Sequence, residues 1–236
     1  MKSSSGTGPV PADPRRFYDG IASEFDRLMN RYDLQRRLEV VFDELLAGVD
    51  LHDRRVLDAG CGTGFFSERA RARGARVISL DIGPNLLKVT RARAGTSVVA
   101  ADVTQLGLGD ASFDVVISSE CIEHTVSPRA AVAELSRVLR PGGRLVLTCP
   151  NRLWHWSCVL ANGLGVRPYR GLENWPGWFQ LRRWVSEAGV AVQRQVGVHL
   201  FPFVFERTHS TLRVLDGAGS LLGPLYVNQA LLGIRR

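Results

Sequence analysis

Two runs in this sequence combine residue types and spacings that could do chemistry. The first is Glu120-Cys121-Ile122-Glu123-His124. On a single helical turn Glu120, Glu123 and His124 would stand at i, i+3 and i+4 and share a face. Two carboxylates and an imidazole could then hold one divalent cation. The oxygen-rich donor set suits Mg²⁺ or Mn²⁺, and the histidine would also admit a transition metal. Without a metal, Glu120 and His124 are the candidate catalytic side chains. His124 is the obvious general base, since an unperturbed imidazole pKa of about 6.5 suits proton removal near neutrality. His155 and His199 stand in reserve. The plainer alternative is that Glu123 and His124 only shape a pocket.

The second run is Asp58-Ala59-Gly60-Cys61-Gly62-Thr63-Gly64, which follows a β-branched stretch and precedes helical spacing from Phe65. Glycines there let the chain turn tightly and bring backbone N–H groups against a ligand at a helix N-terminus. Any nucleotide-like molecule would fit that description. The spacing discriminates: a dinucleotide fingerprint needs its third glycine at position 65, which is Phe65, and no Gly-Lys-Ser/Thr sequence is present to grip a triphosphate.

The elements that must position these runs alternate. Short apolar stretches at Arg55–Ala59, Ala75–Leu80, Ser97–Ala101, Phe113–Ser118 and Arg144–Thr148 are separated by helical segments such as Phe65–Arg73 and Ala130–Leu139. Such alternation predicts β-α-β units, a parallel sheet and helices on both its faces. Pro141-Gly142-Gly143 is a turn into the fifth strand. Val190–His199 and Tyr226–Ile234 close the sheet, and Leu34–Leu46 reads as an amphipathic helix.

A chain of 236 residues, 45% apolar and without an apolar run near twenty residues, excludes a transmembrane helix and a largely disordered protein. The expectation is one domain over 17–236 behind a disordered tail, 1–16, in a cytoplasmic protein. Four cysteines without C-x-x-C spacing read as reduced thiols. The net charge of +7 is concentrated late: residues 1–150 carry 20 basic and 19 acidic side chains, and 151–236 carry 10 and 4. That segment could face an anionic substrate, a membrane surface or RNA, with a solvated basic surface as the default.

With its neighbours, the glycine loop resembles the first motif of class I S-adenosylmethionine (SAM) dependent methyltransferases. Further signatures follow in order: Asp81-Ile82 after the second strand, Ala101-Asp102-Val103 after the third, Ser112-Phe113-Asp114-Val115-Val116, and Leu139-Arg140-Pro141-Gly142-Gly143. Tyr18-Asp19-Gly20-Ile21-Ala22-Ser23-Glu24-Phe25-Asp26 resembles the family's lid over the donor. The resemblance implies a Rossmann-like, doubly wound α/β fold with a seven-stranded, mostly parallel sheet and an antiparallel edge strand. It also implies lid helices over 17–50, a SAM-binding core over 51–150, a substrate-lid insertion over 151–189 and edge strands over 190–236. Donor contacts are implied for Asp58, Gly60, Cys61, Gly62 and Gly64 in the loop, and for Asp81 and Ile82, where a carboxylate would read the ribose diol. Asp102 and Val103 would meet the adenine, and Ser119 is implied as a further donor contact. Arg37 would reach the donor's carboxylate. Asp102 as a helix cap and Arg37 as a solvated side chain are the alternatives.

The added Glu120 resembles one subgroup, the ubiquinone-biosynthesis catechol O-methyltransferases, in which this E-x-x-E-H run is a metal site. Thr148-Cys149-Pro150-Asn151-Arg152 resembles it too. The chain then departs, with Arg170-Gly171-Leu172-Glu173-Asn174-Trp175 where the subgroup has Lys-Gly-Thr-His. All five tryptophans, Trp154, Trp156, Trp175, Trp178 and Trp184, fall in the insertion with Phe179, and Phe201, Phe203 and Phe205 follow. They suggest a wall over a flat or greasy substrate, with structural packing and peripheral membrane contact through 153–184 as alternatives.

The expected activity is methyl transfer to a small molecule, first a phenolic or catechol hydroxyl of a quinone-like or natural-product acceptor. N- or C-methylation of a metabolite and an RNA-associated or non-catalytic SAM-binding protein are the rivals. No sequence-specific nucleic-acid partner is expected, and the oligomeric state is left open.

Overall fold

The computed structural model describes residues 13, 16–163, 171–203 and 206–236. The expected tail therefore lies almost wholly outside the described residues, as do Arg170 and Phe205. Seven strands form one sheet: β1 (Arg55–Ala59), β2 (Arg76–Asp81), β3 (Ser97–Ala100), β4 (Phe113–Ser119), β5 (Leu139–Pro150), β6 (Val190–Val198) and β7 (Asn228–Arg235). Their order is β3-β2-β1-β4-β5-β7-β6, parallel through the first five. The antiparallel strand is β7, one place in from the outermost β6.

Strand alternation divides the core in two. Leu57, Val116, Leu145 and Leu147 face one side, where α5 (Pro128–Arg137) contributes Ala131 and Leu135 and α7 (Trp178–Glu187) contributes Leu181 and Val185. Val56, Val115, Ile117 and Val146 face the other, under Phe66 and Ala70 of α3 (Phe65–Ala72). The helix expected over Leu34–Leu46 is α2 (Arg31–Glu39), after the short α1 (Phe25–Leu28), and its second half is π-helical over Val40–Leu45. That half buries Val40, Val41, Phe42 and Leu45 in the second core. Pro141-Gly142-Gly143 bulges within β5: pairing jumps from Phe113↔Leu139 to Val115↔Arg144.

Between β2 and β3 runs α4 (Pro84–Ala94), and α6 (His155–Gly163) and α8 (His209–Leu215) belong to the later connections. Strand order reverses at the β1/β4 boundary, which opens a crevice at the carboxyl ends of the central strands. Among the described residues no helix is long and apolar enough to cross a membrane.

Candidate active site

A cavity of about 730 Å³ fills that crevice. Its floor is the turn after β1. Gly60 has a left-handed φ of 75°, and a Cβ there would stand 2.2 Å from Cys121 Sγ, so only glycine lets the loop pass this close beneath β4's end. Asp81, at the end of β2, accepts Gly62 N–H at 2.9 Å and Gly83 N–H at 2.8 Å. Burial nevertheless pushes its carboxyl up to about 6. Ile82, Asp102 and Val103 continue the wall. Asp102 accepts both Thr104 N–H, at 2.8 Å, and Thr104 Oγ1, at 2.6 Å, so it closes a turn rather than capping a helix.

Asp58 and Gly64 stand back from the cavity. The Asp58 carboxylate accepts Ser67 Oγ at 2.6 Å and ties β1 to α3, and burial raises its pKa to about 7. Gly64 occupies the left-handed N-cap of α3, where a Cβ would meet Thr90 Cγ2 at 2.9 Å. Both support the loop without lining the space it encloses.

The lid is the short helix Asp19–Ile21 with α1. Asp19 Oδ1 accepts the N–H groups of Asn85 and Leu86 at 2.7 and 3.2 Å, which fastens the lid to the start of α4. Asp26 accepts Thr63 Oγ1 at 2.7 Å and pairs with Arg93. Tyr18 and Phe25 thereby overhang the glycine loop, and the Tyr18 ring meets His124 edge-on at 5.2 Å.

Across the cavity, Glu120, Glu123 and His124 share the wall but not one helical turn. Only Ile122–His124 is helical, and of the 3₁₀ type; Glu120 precedes it with a left-handed φ of 52°. Glu120 Oε1 accepts Thr148 Oγ1 at 3.0 Å, and its pKa of about 7 reflects burial opposed by Arg37. Glu123 is 1% exposed, and burial plus the neighbouring Glu120 charge raise its pKa well above the usual range. Among the described residues no three His, Cys, Asp or Glu side chains converge to hold a metal ion. The expected i, i+3, i+4 site is therefore not formed, because the backbone reverses hand at Glu120.

His124 Nδ1 lies 2.9 Å from the Leu172 carbonyl oxygen. A carbonyl only accepts, so Nδ1 carries the proton and the lone pair is on Nε2, 3.7 Å from Glu123 Oε1. Asn174 braces the same turn: its N–H donates to the Glu123 carbonyl at 2.8 Å and its Nδ2 to that of Thr125 at 2.7 Å. Neither reserve histidine lines the cavity. His155 lies against Trp175 and Glu173, and His199 is fully buried behind α2.

The aromatic wall is smaller than the sequence suggests. Trp175 and Phe203 line the cavity, whereas Trp184 packs on the core and Trp156 and Phe179 are 61% and 73% exposed. From α6 the lining takes Ser157, Cys158 and Ala161 instead.

Residues 57–147 match the family model described as "Methyltransferase domain". The chain is 38% identical over 179 residues to a ubiquinone biosynthesis O-methyltransferase of Xanthomonas euvesicatoria pv. vesicatoria, covering 71% of this chain and 73% of the relative. The chain belongs to the class I SAM-dependent methyltransferases. It is also 40% identical over 131 residues to a malonyl-[acyl-carrier protein] O-methyltransferase of Serratia marcescens, 54% of this chain, and spans about half of that relative's length, 51%. A solved magnesium protoporphyrin IX methyltransferase from Synechocystis PCC 6803, with SAH bound, superposes with a TM-score of 0.69 at 20% identity, covering 95% and 100% of the two chains.

Asp81, Glu120 and Glu123 bring three carboxyl groups to the cavity wall, and burial favours the neutral form of each, most of all of Glu123. Arg37 lines the cavity, but its Nε and Nη2 are both 2.8 Å from Asp33 Oδ2, and its Nη1 donates to Ser119 Oγ at 3.0 Å. Burial alone would raise the Asp33 pKa, yet the Arg37 guanidinium and the His199 hydrogen bond outweigh it and hold the carboxyl below the usual aspartate range. Asp33, Asn174 and Asn228 carry no expectation from the sequence, whereas Trp175 belongs to the expected aromatic wall. The i, i+4 spacing of Asp33 and Arg37 on α2 was a legible signal; Asn174 and Asn228 arrive from elements with no local mark of function.

Three of the four cysteines are held as thiols. Burial pushes the Cys61, Cys121 and Cys149 thiols well above their ordinary value.

Proposed function

We propose that this protein transfers the methyl group of SAM to a hydroxyl oxygen of a small, flat, largely apolar acceptor, a phenol or catechol of a quinone-like or natural-product class. One observation carries the reading: an imidazole with its proton fixed on Nδ1 by Leu172 lines the same cavity as the glycine loop and Asp81. When bound, SAM supplies an activated methyl electrophile. The backbone of Gly60–Gly62 lies against the donor, Asp81 accepts from the ribose hydroxyls, and Asp102 and Val103 flank the adenine. Arg37, with Ser119, faces the donor's amino-acid end.

The acceptor lies between Trp175 and His124, where the chain must hold its oxygen in line with the methyl at about 3–3.5 Å. His124 Nε2 would take the hydroxyl proton as the oxygen bonds to the methyl carbon and that carbon's bond to sulfur breaks, leaving the donor as a neutral thioether. Burial favours the neutral form of Glu123, so no full carboxylate charge stands beside Nε2 to hold the imidazole protonated before the acceptor arrives. Glu120, Glu123 and His124 do not fit a divalent cation as arranged among the described residues. O-transfer also accords with the names of the relatives at 38% and 40% identity.

The test is calorimetry with SAM followed by turnover of a catechol panel with and without EDTA. Turnover that ignores EDTA and falls by about 10²-fold or more in His124→Ala, with donor affinity within about twofold of the parent, is the expected result. EDTA-sensitive turnover, or full activity in His124→Ala, removes the metal-free base mechanism.

A further inference from the structure

We infer that His199 is a positioning residue for donor binding, acting through Asp33 on Arg37; this rests on the reading that SAM fills the cavity. His199 is 0% exposed, and its Nε2 lies 3.2 Å from Asp33 Oδ1. Asn228 Nδ2 reaches the same oxygen at 3.3 Å, while Asp33 Oδ2 receives Arg37. One buried carboxylate thus takes histidine and amide on one oxygen and guanidinium on the other.

From Arg37 the polar chain continues to Ser119, then to Thr148 at 2.8 Å and Glu120 at 3.0 Å. It starts behind the cavity at the end of β6 and reaches the wall at Asp33, Arg37, Ser119 and Glu120, at the end of β4. The residue that starts it is held firmly. His199 has a left-handed φ of 61°, its N–H donates to Asp216 Oδ1 at 2.8 Å, and its ring sits 4.4 Å from that of Phe203. Asp216 in turn takes Arg36 Nε at 2.8 Å, so two successive arginines of α2 are each fixed by an aspartate bonded to His199. A left-handed backbone at a non-glycine residue is costly and persists only where its surroundings over-determine it. Here the result is an imidazole N–H aimed at Asp33. A guanidinium gripped on Nε and Nη2 by a fixed carboxylate keeps Nη1 toward the donor side of the cavity instead of swinging across it.

The experiment is SAM calorimetry and steady-state kinetics on His199→Ala, His199→Gln and Asp33→Asn, with His199→Ala repeated in an Arg37→Met background. His199→Ala is expected to weaken SAM binding about tenfold and raise the donor KM equally, with kcat at saturating donor and the acceptor KM within about twofold. His199→Gln, whose amide N–H can occupy the Nε2 position, restores most of the affinity. In the Arg37→Met background, His199→Ala changes donor affinity by less than about twofold, because its effect passes through Arg37. Parental donor affinity in folded His199→Ala overturns the inference, as does an equal loss in the Arg37→Met background. If His199→Ala does not fold, the near-isosteric Asp33→Asn carries the same prediction, and parental affinity there overturns it. A parent chain that binds neither SAM nor its demethylated product fails earlier, and takes the donor reading with it.

Discussion

His124 and Leu172 are joined across 48 residues of sequence by one hydrogen bond, imidazole Nδ1 to carbonyl oxygen at 2.9 Å. That bond selects the tautomer, so the insertion after β5 sets which ring nitrogen of His124 bears the proton. Two bonds from Asn174 hold the same turn from the same segment. Asn174→Ala removes the side-chain bond to Thr125, and kcat should fall by about tenfold while donor affinity stays unchanged, as stopped-time product assays and calorimetry would register. A matched loss of donor affinity would mean that the segment supports the whole fold rather than the base.

Donor affinity should depend on the protonation of Asp81. Its carboxyl titrates at about 6, and only the ionised form accepts from two hydroxyls at once without competing as a donor. Binding measured from pH 8 to pH 5 should therefore weaken as pH falls through 6, and in Asp81→Asn this step should vanish along with most of the affinity. Identical pH profiles in the two proteins would assign the step to another group.

Stability should carry the mark of Asp58. Its folded pKa, about 7, is raised from the ordinary 3.8 by burial, so the native state binds the proton more tightly than the unfolded chain. The stabilisation this contributes is complete below the unfolded value and is lost as pH rises through 7. Between pH 5 and pH 8 the parent should lose about 2–3 kcal/mol relative to Asp58→Asn, read from urea denaturation of both proteins. A gap that does not change with pH would contradict the buried titration.

Gly60→Ala should damage both fold and function. The added methyl meets Cys121 Sγ at 2.2 Å, and the left-handed backbone penalises any Cβ. The melting temperature should drop and SAM binding weaken by about tenfold or more. Trimming Cys121 to alanine in the same chain removes the Sγ contact but leaves its Cβ 2.4 Å from the added methyl and the φ unchanged, so little recovery should follow.

Trp175 offers a test of the acceptor end. It is 8% exposed and lines the same cavity as His124. Trp175→Ala should raise the acceptor KM by about tenfold, from lost aromatic contact, with donor affinity within about twofold. A change confined to the donor would relocate the acceptor.

What the sequence determined by itself was everything carried by local pattern. Strand–helix alternation, the glycines at 60, 62 and 64 and the acids at 81 and 102 are properties of short windows, and hydrophobic period and turn chemistry act over such windows. Hence the sheet, the glycine loop and the acidic turns after β2 and β3 were legible in the sequence. The helix that carries Arg37 was legible as well, from the spacing of Leu34, Leu38, Val41 and Leu45, although not its π-helical second half. The Glu120, Glu123 and His124 spacing promised one helical face, and there the local rule failed. The chain leaves β4 through a left-handed residue whose conformation is set by pairing to β5, with Glu120 N–H on the Thr148 carbonyl at 2.9 Å.

Only the tertiary structure decided which histidine faces the cavity, which nitrogen of it bears the proton, and what Arg37 is bonded to. His124, Leu172 and Asn174 meet through the insertion, and Asp33, His199 and Asn228 meet because α2 crosses the ends of β6 and β7. Such contacts arise from how strands are ordered in the sheet rather than from any residue's neighbours in the chain. Apolar periodicity says which face of an element is buried, and the order of the packed elements then decides which buried polar groups become partners.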